Sequence, residues 1–445
     1  MPANKRLSAW PALLTLSIFP SAICAQQPSS SSTDAFALTL KKAVQLGLKQ
    51  NPQRLIASLQ TGESSRTSQI YRSALLPQAA IRAEGVVSQY NFQSVEKLPN
   101  RKSAGPFQSI EAGPTFSQTL FNLPLIRGYQ ISRESVRLAS ADEQTTRQDV
   151  VLAVVGQYLL ALRAMATRDA AQARVDLAQR LYDQASDLQR TGIGLNIDTV
   201  RANVELQNER QNLIDAQTLT RTTKYVLAEL LNLPKEQELE VTDHLEFFDL
   251  PNFDRDELLD RALRVRPEIR AFASEQKIAS LERESAVEQR FPRLEFSGFW
   301  LYQGSHFNNG IPAYTYAASL DFPLFTGGRI HAEVERASLE QQRVAESRRQ
   351  EEARIVREVK SALDELTAAR GAVDVANQGF ALANDEVAQA QRRFSAGVTT
   401  NVEVITAQDA LARASDNRIE ALYRFNASRA ALARSLGEIE NTYAK

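Results

Sequence analysis

The sequence predicts a mainly α-helical fold in two tandem repeats, each of which combines very long antiparallel helices with two β-strands. Three observations predict it: a seven-residue repeat of apolar residues, a second copy of one segment later in the chain, and short stretches of alternating polarity. The chain has 18 Gly and 16 Pro among 445 residues, which is few for an all-β protein with many turns.

The two halves of the chain resemble each other, which is the most informative feature of the sequence. The segment Thr191–Ala202 resembles Ala396–Ala407 at an offset of 205 residues, and Asn51-Pro52 matches Arg266-Pro267 at an offset of 215. The difference indicates about eleven extra residues in the first half, which we place in an exposed loop between Tyr90 and Phe107.

Each repeat is predicted to contain a helix, two strands, a long helix, a turn and a helix. We assign repeat one to residues 26–232, a packed connector to 233–255 and repeat two to 256–445. Apolar residues alternate with small or polar ones in each strand, and Pro77 and Pro292 stand where helix gives way to strand. Each predicted strand has about ten residues, enough to cross a bilayer when tilted.

The long helices are predicted from Ile126 to Arg190 and from Arg329 to Phe394, and the second of them would be roughly 100 Å long. In the second long helix a large apolar residue recurs at every seventh position. Ala follows each of the first five of these residues by three positions. The large residues are Val359, Leu366, Val373, Phe380, Val387 and Phe394. This seam predicts close packing of antiparallel helices joined by a short turn at Gly397, and Arg418 interrupts it once in the following helix.

The first 25 residues are predicted to be a secretory signal peptide. Lys5 and Arg6 precede an apolar stretch that ends in small residues, and we expect cleavage after Ala25. Lipidation of Cys24 is an alternative, which the preceding Ile23 disfavours because such a site prefers a small residue there. Cleavage after Ala25 leaves no Cys, which suits an oxidising compartment such as the periplasm.

Composition argues against several classes of function. The chain has 52 Lys and Arg against 53 Asp and Glu, so it lacks the basic surface of a nucleic-acid-binding protein. One Cys and three His make no zinc framework, and His244, His306 and His331 lie in separate segments without a common spacing. We therefore predict no enzyme, no metal and no cofactor.

The strands constrain how the protein could enter a membrane. After the signal peptide we expect no membrane-spanning helix, because we identify no apolar stretch that approaches the roughly 20 residues required. Four strands cannot close a membrane barrel, which needs at least eight, and open edges in lipid leave backbone groups without partners. Several chains would have to pool their strands, and three would supply twelve. The alternative is a periplasmic coiled-coil scaffold protein without a pore.

The residues at several landmarks resemble the TolC-like outer-membrane efflux channels over nearly the whole mature length. The matching motifs, in order, are Leu38–Ala43, Asn51-Pro52, Leu76-Pro77-Gln78, Phe322–Arg329, Arg393–Gly397, Val402–Gln408 and Leu436-Gly437. Each motif is short, but their order and duplication are specific.

The resemblance implies a homotrimer whose strands close into a twelve-stranded β-barrel in the lipid of the cell outer membrane, above a long periplasmic α-helical barrel. It implies a passive exit duct of a tripartite efflux or secretion system. The partners implied are a periplasmic adaptor (membrane fusion) protein and an inner-membrane transporter that supplies the energy.

The helix tips carry the mechanism in this family, through acidic residues that follow the Gly turn of repeat two and constrict the pore. Glu403 matches one such position, and Thr406 stands at the next, where a second acid is expected; Asp198 corresponds in repeat one. The alternative for both carboxylates is stabilisation of a helix N-terminus. Arg392 and Arg393 can bridge to nearby carboxylates or remain solvated.

The same tips are expected to receive the adaptor. Gly192, Gly194 and Gly397 provide turn geometry, and by resemblance these small residues, with Leu195, form the adaptor-docking surface.

Overall fold

The computed structural model describes residues 36–91, 103–234, 238–249 and 253–444. The expected signal peptide, with Cys24, and most of the expected extra loop of the first half lie outside the described residues.

The described residues form nine helices and six strands. In chain order they are β1 Phe36–Leu38, α1 Leu40–Gln50, α2 Pro52–Ser73, β2 Gln78–Tyr90, β3 Ala104–Phe121, α3 Leu123–Arg190, α4 Asn196–Leu230, β4 Leu239–Val241, α5 Arg255–Val265, α6 Pro267–Glu288, β5 Arg293–Gly304, β6 Ile311–Asp321, α7 Arg329–Ser395, α8 Asn401–Ser435 and α9 Ile439–Tyr443.

The two long helices begin and end at residues whose chemistry explains the boundary. The Asn122 side chain accepts a hydrogen bond from the Leu125 amide at 3.2 Å and caps α3, and Pro124 occupies its first turn. Before α7 the chain turns through Gly327 and Gly328, whose φ angles are +60° and +83°. The helices contain 68 and 67 residues, close to the predicted spans.

The helices pack side by side, and the order of neighbours differs between the part of the molecule near the sheet and the part far from it. Toward the sheet the neighbours run α2, α3, α6, α7, and beyond the middle they run α4, α3, α8, α7. Thus α3 and α7 extend through both levels, while α2 is followed by α4 and α6 by α8. In this order each outer helix has a long or mid-length helix on one side only, although the short helix α5 also contacts α7.

The predicted seam is the contact between α7 and α8. Val359, Leu366 and Val373 are buried with Phe425 and Leu432 of α8 in one core cluster. Arg418, which interrupts the seam, places its guanidinium carbon 4.9 Å from the centre of the Phe380 ring. Arg418 therefore still makes a favourable contact at this position, because an aromatic ring face attracts a cation.

The middle of the molecule holds its largest core, and α3 supplies more of it than any other element does. An 18-residue window of α3 has a mean hydropathy of 1.7 and is half buried. Val154, Val155 and Tyr158 pack there against α1, α4 and α9. Our expectation that no further stretch approaches a membrane span in length and apolarity was wrong for this segment. Its buried share and these contacts make it a core helix.

The four long strands form one antiparallel sheet in the order β2-β3-β5-β6. Strands β2 and β5 begin directly after Pro77 and Pro292, as predicted. At 18 residues β3 is longer than expected. Its first residues were assigned to a loop from sequence, but Ala104 and Phe107 pair with Tyr90 and Ser88 at the end of β2. The outer edges of β2 and β6 have no strand partner among the described residues.

The two faces of this sheet differ in charge. The register places all six charged residues of the four strands on one face, namely Arg82, Glu84, Glu111, Arg293, Glu295 and Asp321. The opposite face is almost entirely apolar and includes Ile81, Ile110, Phe116, Phe296, Trp300, Tyr302, Tyr314, Tyr316 and Leu320. Such a division, with aromatic residues on the apolar face, is the pattern of strands between lipid and a polar interior.

A buried ion network fixes the ends of α6 and α8 to α7 at mid-height. Arg266 lies 2.9 Å from Glu268 and 2.7 Å from Glu358, and Arg434 lies 2.8 Å from the same Glu268. The side chain of Arg266 is only 3% exposed. Burial alone would raise the pKa of Glu268, but Arg266 and Arg434 outweigh burial and lower it to about 2.

Candidate functional site: the helix tips

Two helix–turn–helix tips meet at the end of the molecule far from the sheet. The α3–α4 turn forms tip one and the α7–α8 turn forms tip two. Side chains from all four helices form one core cluster behind the turns: Leu181, Ala185, Ala202, Val387, Ala390, Phe394, Val404 and Ala407. The two tips are therefore packed as one body, and the residues at the turns are held in place from behind.

Both turns have the same backbone geometry, which explains their glycines. Gly192 and Gly397 have φ angles of +78° and +70°, a left-handed conformation in which a Cβ is strained. The amides of Ile193 and Val398 donate to the carbonyls of Leu188 and Arg393, both at 3.0 Å. These bonds satisfy helix carbonyls that would otherwise lack a donor.

Gly194 has a different reason to be glycine. Its amide donates to the Leu188 carbonyl at 2.8 Å, and an added Cβ would lie 2.9 Å from backbone atoms of Leu188 and Gln189. Close approach of the backbone, not a positive φ, excludes a side chain. Tip two has Thr399 at the equivalent position, so the two tips are not interchangeable.

Each tip exposes apolar side chains. In tip one Ile193 is 79% exposed and Leu195 is 64% exposed, and in tip two Val398 is 69% exposed. Ile197 and Val402 continue these surfaces. Exposed apolar residues that cluster at a turn, rather than being scattered singly, are typical of a surface that another protein covers.

Glu403 is an ion-paired residue in the first turn of α8. Arg393, at the end of α7, places Nε 3.1 Å from its Oε1, and the Thr399 hydroxyl donates to its Oε2. The side chain of Glu403 is 40% exposed, and that of Arg393 is 58% exposed. Arg393 and Thr399 thus hold this carboxylate at the start of the helix, where the helix dipole also favours it.

Thr406 is exposed one helical turn after Val402, and its hydroxyl donates to the Val402 carbonyl at 2.9 Å. It adds no charge beside Glu403.

Asp198 has the corresponding place in α4 but different partners. Its carboxylate is 15% exposed and lies 3.8 Å from Arg201 of the same helix. Leu195 precedes α4 and supplies no side-chain cap. The Asp198 backbone carbonyl, in contrast, accepts a hydrogen bond of 2.8 Å from the side-chain amide of Asn401.

Asn401 was not identified from the sequence, yet it joins the two tips directly. It is fully buried, and its Oδ1 has no hydrogen-bond partner among the described residues. Asn401 lies 205 residues after Asn196, at the equivalent position of the second repeat, so the duplication could have drawn attention to it. Asn196 instead accepts a bond from Gln189 within tip one. Sequence alone could not tell which of the two asparagines crosses between tips.

Among the described residues, no group of three or more His, Cys, Asp or Glu side chains has a geometry that could hold a metal ion. The chemistry that the tips offer is ion pairing, hydrogen bonding and apolar contact.

Comparison with known proteins gives a family and a fold. The sequence model described as "Outer membrane efflux protein" matches residues 43–233 and 258–438. The outer membrane protein TolC of Vibrio cholerae is 21% identical over 416 residues, which cover 92% of this chain and 92% of that protein.

Solved channels share the fold. The Campylobacter jejuni CmeC outer membrane channel superposes with a TM-score of 0.78 at 16% identity, over 90% of this chain and 86% of that one. The open state of the Neisseria gonorrhoeae MtrE outer membrane channel gives a TM-score of 0.75 at 19% identity, over 91% of this chain and 90% of that one.

Proposed function

Because the chain belongs to the outer membrane efflux protein family, we propose that it is a homotrimeric exit duct of a tripartite efflux or secretion system, gated at its helix tips. The chain is an outer-membrane efflux channel with a long periplasmic helical extension, and it is not an enzyme. The trimer, the partners and the gate are the proposal.

The observation that supports a trimer is the four-stranded sheet, which has two edges without a strand partner among the described residues and one uncharged face. An open strand edge in lipid leaves backbone groups without hydrogen bonds, so closure is required. Pairing β6 of one copy with β2 of the next closes the sheet, and three copies give twelve strands. The charged face, with Arg82 and Glu111, then lines a watery interior, and the face with Trp300 and Tyr316 contacts lipid.

The helices support the same closure. Large apolar side chains are exposed on the two outer helices of each level. They include Ile56, Leu59 and Ile70 on α2, Val204, Ile214 and Tyr225 on α4, and Leu339, Val375 and Leu382 on α7. Contact between α7 of one copy and α2 and α4 of the next would remove these side chains from water, which is favourable in proportion to the apolar area buried.

The gate is proposed at the tips, with Glu403 as the pore constriction and Thr406 and Asp198 beside it. Three copies of Glu403 around an axis would favour cations and repel anions. The Asn401–Asp198 bond holds tip two against tip one, and opening requires the α7–α8 hairpin to move away from its neighbours. Rupture of that bond would accompany opening.

The adaptor is proposed to dock on the apolar tips. Gly192, Gly194 and Gly397 keep the turns narrow, and Leu195 and Val398 offer exposed apolar contacts. A periplasmic adaptor that bridges to an inner-membrane transporter would cover these side chains. Energy then comes from the transporter.

Deletion and complementation test this function. We expect a deletion strain to become more susceptible to exported compounds, and wild type to restore resistance. Leu195→Asp with Val398→Asp should fail to restore it, although the protein reaches the outer membrane. Release of the wild-type protein from membranes by salt or urea washes, without detergent, would contradict the proposal and support the coiled-coil scaffold.

A further inference from the structure

The two hairpins of the sheet repeat each other residue by residue. Strand β5 begins 215 residues after β2. Gln78 of β2 pairs with Ser117 of β3. In the same way Arg293 of β5 pairs with Asp321 of β6, which lies 204 residues after Ser117. Every residue pair in the β5–β6 register has a counterpart in β2–β3 at these two offsets, so the duplication extends to the register of the strands.

The sheet also shows how one repeat joins the next. Inside the chain β3 pairs antiparallel with β5, and Ser117 lies opposite Ser297. The two edges without a strand partner among the described residues belong to β6, the counterpart of β3, and to β2, the counterpart of β5. The junction of β3 with β5 is therefore a template for joining β6 of one copy to β2 of another.

Applied to these two edges, the template determines which residues meet. The offsets relate Ser117 to Asp321, and they relate Ser297 to Arg82. From this correspondence we infer that β6 of one copy pairs antiparallel with β2 of the next copy, in the register that places Asp321 opposite Arg82. The inference rests on the trimer proposed above, and it adds the alignment of the two strands at the junction between copies.

The charges at the two edges match in this register. Asp321 lies opposite Arg293 of its own chain, yet it forms no ion pair with any described residue. The side chain of Arg82 is 65% exposed, and its Nε lies 3.3 Å from Glu84 of its own strand. Its guanidinium has donors left for a second carboxylate, and opposite charges directly across two strands stabilise their pairing. Asp321 of one copy therefore supplies an acceptor that Arg82 of the next can use.

Neighbouring registers fit less well. A slip of one residue would place Asp321 opposite Ile81 or Ala83, which lie on the apolar face. A slip of two residues in one direction would place Asp321 opposite Glu84, where like charges repel. The opposite slip would place it opposite Ala80, where the carboxylate meets no charge. Of these five alignments, the register of the template alone keeps both faces continuous and pairs opposite charges.

The apolar face of the sheet is continuous in the same register. The register places Tyr316 opposite Val87 and Phe322 opposite Ile81 of the next copy. All four side chains are exposed in the single chain. Pairs of an aromatic with a β-branched residue across two strands are favourable. The apolar contacts therefore agree with the charged contact on the other face.

Engineered disulfides measure the register directly. The chain's only Cys, Cys24, lies in the expected signal peptide, so Arg82→Cys with Asp321→Cys introduces the reactive pair. Residues opposite each other in antiparallel strands have Cα atoms about 4.5–5.5 Å apart, which suits a disulfide. Within one chain β2 and β6 are three strand spacings apart, roughly 14 Å, so a disulfide between these positions joins two copies.

Oxidation of outer membranes with copper phenanthroline, followed by a non-reducing gel, is the measurement. We expect Arg82→Cys with Asp321→Cys to give covalent dimers and trimers that a reductant returns to single chains. Ala80→Cys and Glu84→Cys, each combined with Asp321→Cys, are the matched controls, because they report the two slipped registers on the same face. We expect both controls to crosslink more slowly. Faster crosslinking of either control overturns the register.

The number of copies per particle separates this inference from the trimer itself. Native mass spectrometry that finds three copies, with no crosslink in Arg82→Cys with Asp321→Cys, overturns the register and leaves the trimer standing. Single copies in the wild type and in every variant refute the trimer, and the register is refuted with it.

Neutral variants test the charge pair without cysteine. We expect Arg82→Gln and Asp321→Asn each to raise the rate of trimer dissociation in warm detergent by about two- to fivefold. The double variant should dissociate no faster than the faster single variant, because both changes remove the same contact. Glu295→Gln, on the central strand β5 and the same face, should leave the rate unchanged. Effects that multiply in the double variant would show that the two charges do not meet.

Discussion

The side-chain amide of Asn401 donates a hydrogen bond of 2.8 Å to the backbone carbonyl of Asp198, and so ties the first turn of α8 to the first turn of α4. Its other amide atom, Oδ1, is buried without a partner among the described residues. The Asn401 side chain therefore donates one hydrogen bond through Nδ2, while its Oδ1 acceptor lacks a donor among the described residues. In the proposed gate, release of the tips would expose both groups to water, so the bond can hold the tips closed without making that state permanent.

Asn401→Ala should shift the tips toward the open state. Loss of one buried hydrogen bond is worth about 1 kcal/mol, equivalent to roughly a fivefold change in the open–closed equilibrium. Open probability in planar bilayers measures it. Asn417→Ala, an exposed site on the same helix, is the control. An Asn401→Ala channel that opens no more often than this control would remove Asn401 from the gate.

Removing the charge of Glu403 and removing the charge of Arg393 should change the ion selectivity of the proposed constriction in opposite directions. Glu403→Gln should lower the permeability of K⁺ relative to Cl⁻, because the proposed carboxylate ring is removed. Arg393→Gln should raise it, because Glu403 loses its 3.1 Å partner. Reversal potentials in a KCl gradient measure both.

Arg392→Gln is the matched control, since Arg392 is adjacent, exposed and outside the ion pairs of the described residues. Removing its charge should move the reversal potential less than Arg393→Gln does. Unchanged selectivity in Glu403→Gln would show that this carboxylate only stabilises its helix.

The buried network around Arg266 predicts acid sensitivity. The pKa of Glu268 is lowered to about 2 from 4.5, so the ionised form stabilises the folded state above about pH 4.5 and this stabilisation is lost as pH falls toward 2. Urea midpoints at pH 7 and pH 3 should differ more for wild type than for Glu268→Gln.

Arg266→Met should destabilise the protein by about 3–5 kcal/mol at pH 7, because it leaves buried carboxylates without their cation. Glu346→Gln, at an exposed ion pair with Arg349, should change stability by under about 1 kcal/mol. Equal effects of these two variants would contradict the role of the network.

Two glycines of α7 and its turn should respond to alanine with opposite signs. Gly397 has φ +70° and open space around it, so Gly397→Ala costs backbone strain of about 1 kcal/mol. Gly379 lies inside α7, also with open space, and Gly379→Ala should stabilise the helix by about as much. Hydrogen exchange of amides near the turn and in α7 measures both. The same sign for both variants would contradict the turn geometry.

Elements with local or periodic signals could be predicted from the sequence. The seam through Val359 and Leu366, the turns at Gly192 and Gly397, and the strand starts after Pro77 and Pro292 lie where they were predicted. Periodicity and restricted backbone angles act over a few residues, and for this reason they can be read without knowing the fold.

The tip contacts could not be predicted in the same way. Arg392 and Arg393 are adjacent, and only the rotation of α7 decides that Arg393 reaches Glu403. Likewise Asn196 and Asn401 share a repeat position, but one is exposed and the other is buried between the tips. Such choices depend on how two distant segments pack, which a single sequence does not encode locally.

The number of chains in one detergent-extracted particle tests the central claim most directly, because a sheet with free edges at β2 and β6 requires neighbours to close. Native mass spectrometry of the mature protein in mild detergent measures it. We expect a particle of three copies that survives dilution. A stable single copy would contradict the account, because four strands cannot form a closed membrane barrel.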